Sequence, residues 1–383
     1  MGALEASYGK LLSDAISSVI VMSRLSAASY KMMLKLTWRR RMIMRTGILM
    51  TSAAAIAVLL GACSDAAEAP SKVSDEKTLT VDAEQARVTR VTKDEITANF
   101  EEALELANAT TGTGEPALWT LADDDTTIYL FGTVHLLRPE LEWRSDRFET
   151  AFNAADKIVF EVDMKSEEAQ KSLMTDFMAR GMFQDGRNLR GVLNEDDEAV
   201  ISAAFDSAGV PLDAMNAFEP WMASVNLGVM QLKKDGFDPS SGVEEVIGAE
   251  AAANGKSFGY LETISQQADA FDLMPEDEQI TMLYETALML GESSQMLDVL
   301  VGEWADGDVA GIASLVASPD GVGFTDAAYE ALLTDRNKKW VPQIEDMLDE
   351  PGTTFIAVGA GHLAGPDSVV KMLRDKGYEI TGP

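Results

Sequence analysis

Short, almost wholly apolar runs alternate along the chain with long stretches in which apolar residues recur every three or four positions. Thr126 to Phe131 (Thr-Thr-Ile-Tyr-Leu-Phe) and Thr353 to Val358 (Thr-Thr-Phe-Ile-Ala-Val) are β-branched, aromatic and apolar nearly throughout. Such runs fit strands covered on both faces of a parallel sheet, because a half-solvated strand would alternate. Ile158 to Val162 and Lys256 to Glu262 read as two further short strands. After the first run, Asp146 and Glu149 have capping-box spacing, and Phe148, Ala151, Phe152 and Ala155 make one helical stripe. After the second, Pro366-Asp367 opens a helix carrying Val369, Val370 and Leu373. Gly377 stops it, and Tyr378-Glu379-Ile380 forms a last strand. Upstream, Thr92 to Ala109 has the period of an amphipathic helix through Ile96, Phe100, Leu104 and Leu106. The expected fold class is α/β: a central, mainly parallel sheet from two β-loop-α-β units, with a large helical cap, about 166 to 348, inserted between them.

Each unit carries one of the chain's two histidines, in matching frames. Gly132-Thr133-Val134-His135-Leu136 is followed by Pro139, and Gly359-Ala360-Gly361-His362-Leu363 by Pro366. Gly, His, Leu and Pro recur at identical offsets. Each loop lies just past the carboxyl end of a strand, where open α/β sheets place their ligands, so the two imidazoles are expected to converge on one site. Glu161 is expected there too, at the end of Ile158-Val159-Phe160-Glu161-Val162. A carboxylate in an apolar strand is costly unless paired, hydrogen-bonded or metal-bound. One reading pairs it with an arginine such as Arg336; with both His loops at the same edge, a catalytic or metal-ligating role is the stronger expectation. Glu262 ends its own strand at the same edge.

These residues resemble the TraB/PrgY/GumN family, which includes the Tiki proteins that cleave Wnt ligands. The likeness runs from about Ala117 to the C-terminus, through Gly132-Thr-Val-His135, Phe160-Glu161, Gly242-Val-Glu244, Leu261-Glu262-Thr263, Asp335-Arg336-Asn337 and Val358-Gly-Ala-Gly-His362-Leu. The resemblance implies a domain of the erythromycin-esterase/ChaN/Tiki type, with the paired G-x-x-H motifs and a Glu as active site, often divalent-metal-dependent. Glu244 stands where the family pattern expects Asp and is left out of the expected site. Arg336 and Asn337 are carried into it by the resemblance, as groups that orient a ligand or steady an oxyanion.

Composition narrows the chemistry. Thirty-one Lys and Arg against 63 Asp and Glu give a net charge of −32, which argues against nucleic-acid binding. No phosphate-binding loop or dinucleotide fingerprint is present. One cysteine excludes a thiolate zinc site, so any metal would need His, carboxylate and water. Two hydrolytic schemes stay open. In one, His135, His362 and Glu161 or Glu262 hold a divalent ion (Mn, Co or Zn) that activates water; in the other, one histidine is a general base oriented by Glu161. The partner is then a peptide or small-molecule substrate. A third reading is an anchored protein that binds a peptide or other ligand without turnover.

The cysteine has its own context. Arg39-Arg40-Arg41 and Arg45 precede an apolar or small-residue stretch, Gly47 to Ala62, ending Leu60-Gly61-Ala62-Cys63. That order reads as a signal peptide over 1–62, with translation starting at Met1 or at Met33, Met42 or Met44, and it resembles a bacterial lipobox that lipidates Cys63. Residues 63–114 are then a tether and acidic linker or helix, and 115–383 the folded domain. The expected location is the cell envelope, lipid-anchored to the membrane on its periplasmic or outer side.

Overall fold

The computed structural model describes residues 90–316 and 325–383; Cys63 and the stretch before it lie outside them. Six strands form one sheet: β1 (Leu118–Ala122), β2 (Thr126–Thr133), β3 (Lys157–Val162), β4 (Ser257–Glu262), β5 (Gly352–Gly359) and β6 (Ile380–Thr381), in the order β4-β3-β5-β2-β1-β6. The first four in that order are mutually parallel. β1 is antiparallel to β2 and to β6, so the expected mixed, mainly parallel α/β sheet is present. β1 is the strand that the hydrophobic pattern does not announce. It is half of a hairpin whose turn is closed by Asp123, its carboxylate accepting from the backbone N–H of Asp125 and Thr126.

Both sheet faces are covered. On one face Phe131 and Phe355 meet Phe148 and Phe152 of α2 (Asp146–Ala154) and Trp304. Ser145, not Asp146, caps α2 by accepting from Phe148 N–H; Glu149 turns away to pair with Arg144. The serine oxygen, one residue earlier than the expected cap, reaches the third amide of the turn directly. α1 (Lys93–Ala109) joins this face through Ile96, Phe100 and Leu104, under a complete Thr92–Glu95 capping box. Leu106 points to solvent. On the other face Leu130, Val159, Ile356 and Val358 pack on Trp340, Val341 and Ile344 of a long helix, and on Val369, Val370 and Leu373 of the helix that comes after β5. Burial of each large apolar side chain contributes roughly 1.5–3 kcal/mol.

Between β3 and β5 the chain is mainly helical. Helices Glu195–Ala208, Pro220–Lys234 and Glu276–Leu288 share a small core around Phe205, Leu227 and Leu283, while Trp221 stacks on Phe271 in a second one. Met222, Met274 and Met282 are buried in the second of these cores, and Met289 in the core on the aromatic face of the sheet, the packing use of methionine.

Strand register governs the site. β2 and β5 are side by side, but Gly132 faces Val358 and Thr133 faces Gly359, so the two motif glycines are one residue out of step. A one-residue offset exchanges the faces of a sheet. The loop of His135 packs through Val134 and Leu136 on the aromatic face, whereas that of His362 straddles the edge, Ala360 and Ala364 on the aromatic face and Leu363 on the opposite one.

Candidate functional site

The first loop is fixed by backbone and by an indole. Trp304 Nε1–H donates to Gly132 O at 2.7 Å. The segment before α3 (Val243–Ala253) is laced onto the loop, Val243 N–H to Val134 O and Asp238 N–H to Leu137 O. Gly242 is forced by this approach, since a Cβ there would overlap the His135 carbonyl. The result places Glu244, in the first turn of α3, against His135: Nδ1 lies 2.6 Å from Glu244 Oε1. That contact pairs Nδ1 with the acid, while Nε2 of this buried imidazole and Glu244 Oε2 have no partner. Thr133 Oγ1 donates to Glu244 Oε1.

Charge is set by that packing. Burial alone would suppress protonation of His135, yet Glu244, and more remotely Glu161, outweigh it and raise its pKa above the ordinary value. Glu244 is held below the usual carboxylate range because His135 and the Thr133 hydroxyl overcome its own burial. The pair is imidazolium and carboxylate over the range between those two pKa values.

The second loop is built differently. Glu330–Thr334 is a π-helical turn running directly into α4 (Asp335–Leu348), and it rotates Arg336, Asn337 and Trp340 towards the sheet edge. Arg336 is 3% exposed and fully engaged. Its Nη2 donates to Glu161 Oε2 at 2.6 Å and Glu262 Oε1 at 2.5 Å, its Nε to Glu262, and its Nη1 to Leu332 O and to His362 Nε2 at 3.1 Å. Glu161 Oε1 accepts from Gly359 N–H at 2.7 Å. Because Nε2 of His362 accepts, its Nδ1 carries the proton and donates to Asn337 Oδ1 at 2.6 Å; Asn337 Nδ2 donates onward to Asp367 O. Trp340 covers the imidazole at 4.3 Å between ring centroids. Burial, then the charges of Arg336 and His135, push His362 well below its ordinary pKa, so this imidazole is neutral.

The Arg336–Glu262 contact has two sides. The guanidinium's charge is reinforced by its two carboxylates, whereas Glu262 is pushed up, by burial first and then by Glu161, despite Arg336. Two acids share one cation here, and Glu262 bears the excess.

His135, Glu161 and Glu244 line one cavity of about 240 Å³. Glu262, Arg336 and Trp340 line a different one, of about 510 Å³, that contains neither histidine. All six residues expected at the site, His135, Glu161, Glu262, Arg336, Asn337 and His362, are therefore buried at the carboxyl edge of the sheet, but as two linked clusters. Glu161 belongs to both, as a partner of Arg336 and a wall of the His135 cavity. Glu244 is the neighbour that sequence reasoning set aside. Its signal was Gly242 two residues earlier, marking a helix start pressed against another backbone.

The donor chemistry tests the ion expected at His135, His362 and Glu161. A guanidinium occupies the space facing His362 and Glu161, and both His362 nitrogens and both Glu161 oxygens have partners. Among the described residues no group of three or more His, Cys, Asp or Glu is arranged to hold a metal, so that ligand set does not fit as it stands. The donors left over are His135 Nε2 and Glu244 Oε2.

Fold and site together define a mixed α/β protein with an ionised His–Glu pair and a buried Glu/Arg/His/Asn network at the carboxyl ends of its parallel strands. The chain belongs to the TraB/PrgY/gumN family, whose model matches residues 117–382. It is similar to an uncharacterized protein of Treponema pallidum (strain Nichols), 23% identical over 273 residues, covering 68% of this chain and 81% of that one. No solved structure shows significant similarity.

Proposed function

We propose that the protein is a hydrolase whose water-activating group is His135, positioned by Glu244. The observation that carries this reading is a buried imidazole held through Nδ1 by Glu244, with Nε2 unpartnered, in a cavity shared with Glu161 and Glu244. Neutral His135 takes a proton from water as the water attacks a carbonyl; Glu244 steadies the imidazolium that forms and fixes the ring. The attacked bond then breaks, and the proton held on the ring goes to the leaving amine or alkoxide. Arg336, with its nitrogens engaged inside the protein, positions Glu161 and His362 and does not meet the substrate directly. The substrate is a peptide, or a small ester or amide.

Metal dependence is the second reading, favoured by two donors without partners, His135 Nε2 and Glu244 Oε2. A divalent ion such as Mn, Co or Zn held there would supply an acidified water; neutral His135 is required, so binding would strengthen with rising pH. The protein acts at the envelope, tethered by lipid on Cys63. Cys63→Ser is expected to move it from the membrane to the soluble or uncleaved precursor fraction, and unchanged partition would refute the anchor.

The central test is turnover of a broad peptide and ester library by wild type and His135→Ala, with and without exhaustive chelation, alongside elemental analysis. Turnover that survives chelation and vanishes in His135→Ala supports the metal-free base. Turnover lost on chelation and restored by one of the three ions supports the second reading. No turnover by wild type, with a library member captured, would instead make the protein a binder.

A further inference from the structure

The cavity above His135 has an apolar wall that the reaction itself does not need. Phe160 and Phe258 stack with centroids 6.3 Å apart, and Tyr260, Met164, Gly248 and Ala252 complete the lining. β4 is the outermost strand on this side of the sheet, which leaves Phe258 and Tyr260 more than one-third exposed, unusually open for aromatic rings so near a buried charge pair. Three polar groups beside the rings are engaged. Lys165 Nζ pairs with Glu245 at 2.9 Å; Asp163 accepts from the backbone N–H of Lys165 and Ser166 and is bonded by the Tyr260 hydroxyl. Opposite Phe160, α3 carries glycine at 248, where an added Cβ would stand 3.5 Å from Lys165 Nζ and 3.7 Å from the Phe160 ring, ordinary contact with no clash. Neither space nor backbone conformation demands glycine there, and glycine inside a helix costs about 1 kcal/mol relative to alanine. The missing side chain keeps the cavity open.

We propose that this wall is a specificity pocket for an uncharged aromatic or long aliphatic side chain of the substrate, the residue flanking the bond presented to His135. The inference rests on the hydrolase reading for the step after binding, though not for binding itself. A charged side chain would lose its hydration against the rings, where the neighbouring Lys165, Glu245 and Asp163 are already engaged with one another or with backbone. An apolar one would displace water from Phe160, Phe258 and Tyr260, enough for about a ten- to hundredfold preference over glycine.

Two measurements separate the pocket from the chemistry. The first is ligand-observed saturation-transfer NMR on the full chain with the N-acetyl amides of phenylalanine, leucine, glycine, lysine and aspartate. Phenylalanine and leucine are expected to bind at least tenfold more tightly than the other three, Gly248→Leu to abolish the preference, and Gly248→Ala to weaken it while the melting temperature holds or rises. The second is the ratio of kcat/KM for peptides differing only at that side chain, in wild type and Gly248→Ala. Equal binding of the five amides, preference for a charged one, or a preference unmoved in both Gly248 variants overturns the pocket. Selective binding without hydrolysis sustains the pocket and removes the hydrolase; hydrolysis indifferent to the side chain does the reverse.

Discussion

Replacing Arg336 by methionine keeps apolar bulk but removes the cation that touches both Glu161 and Glu262. What is left behind sets the magnitude. Two carboxylates with side chains only 5–6% exposed lose their shared partner, and Leu332 O and His362 Nε2 lose a donor. Breaking a buried ion pair costs about 3–5 kcal/mol, and the second acid and the two orphaned acceptors keep the total in the upper part of that range near neutral pH. The pH dependence is the sharper signature. Glu262 is already raised with Arg336 present; without it, Glu262 rises further. A carboxyl whose folded pKa exceeds its unfolded value contributes stability that is fully present below the unfolded pKa and is lost as pH rises through the folded one. The deficit of Arg336→Met relative to wild type is therefore largest at about pH 7.5 and smaller by about 1.4 kcal/mol, per unit of further rise, at about pH 5. Urea denaturation of both proteins at the two pH values measures it. A deficit below about 1 kcal/mol, or one equal at the two pH values, would refute the idea that two buried acids depend on one guanidinium.

The same geometry fixes three further outcomes. His362→Ala, which takes from Arg336 Nη1 one of its two acceptors and from Asn337 Oδ1 its donor, is expected to lower stability by about 2–3 kcal/mol, whereas His135→Ala leaves Glu244 without its cation, a cost that falls as pH rises through the elevated pKa of His135; deficits with the same pH dependence would contradict the division into two clusters. Turnover should rise with pH through the elevated pKa of His135, and Glu244→Gln, which removes the principal charge sustaining that elevation, should move the rise in kcat/KM to lower pH; an unmoved profile would exclude His135 as the titrating base. Gly242→Ala drives a methyl into the His135 carbonyl and is expected to reduce turnover together with stability, and a crystal structure of the variant with an undisturbed 133–136 loop would refute the constraint.

The sequence and the structure agree where side-chain pattern decides the outcome. Apolar runs without alternation locate β2, β3 and β5 to within two residues at each end, because doubly covered strands tolerate little else; β4, an edge strand with Phe258 and Tyr260 exposed, is located as closely by its short aromatic run. Gly377 ends the last helix with φ of 98°, a conformation that nearly requires glycine. Glu161 was legible as a buried acid in need of a partner, and Arg336 is that partner. The pattern fails where backbone geometry decides. β1 is short and tied to β2 by a turn of three aspartates, whose closure by Asp123 leaves little hydrophobic trace. Glu244 reaches His135 because main-chain hydrogen bonds at Val134 and Leu137 dock the start of a helix, and no periodicity records such docking. The identical frames of the two His loops imply equivalence that the register of β2 and β5 removes.

That offset gives the two histidines opposite chemistry. If the motif glycines were paired, both imidazoles would leave the sheet on one face and meet the same neighbours. One residue of slip instead sends His135 towards the acid at the start of a helix, where its protonated form is favoured, and His362 under Trp340 beside a permanent cation, where only the neutral form persists. The two titrations are mutually reinforcing, since a charged His135 further disfavours charge on His362. Pairs of titratable groups driven apart in this way mark out acid–base roles. On the proposed hydrolytic reading proton transfer falls to His135, while His362 accepts from Arg336, which holds Glu161 at the wall of the cavity. Exchanging the roles would require moving the guanidinium, because a protonated His362 would face Arg336 Nη1 at 3.1 Å, closer than the Glu161 carboxylate at 3.9 Å.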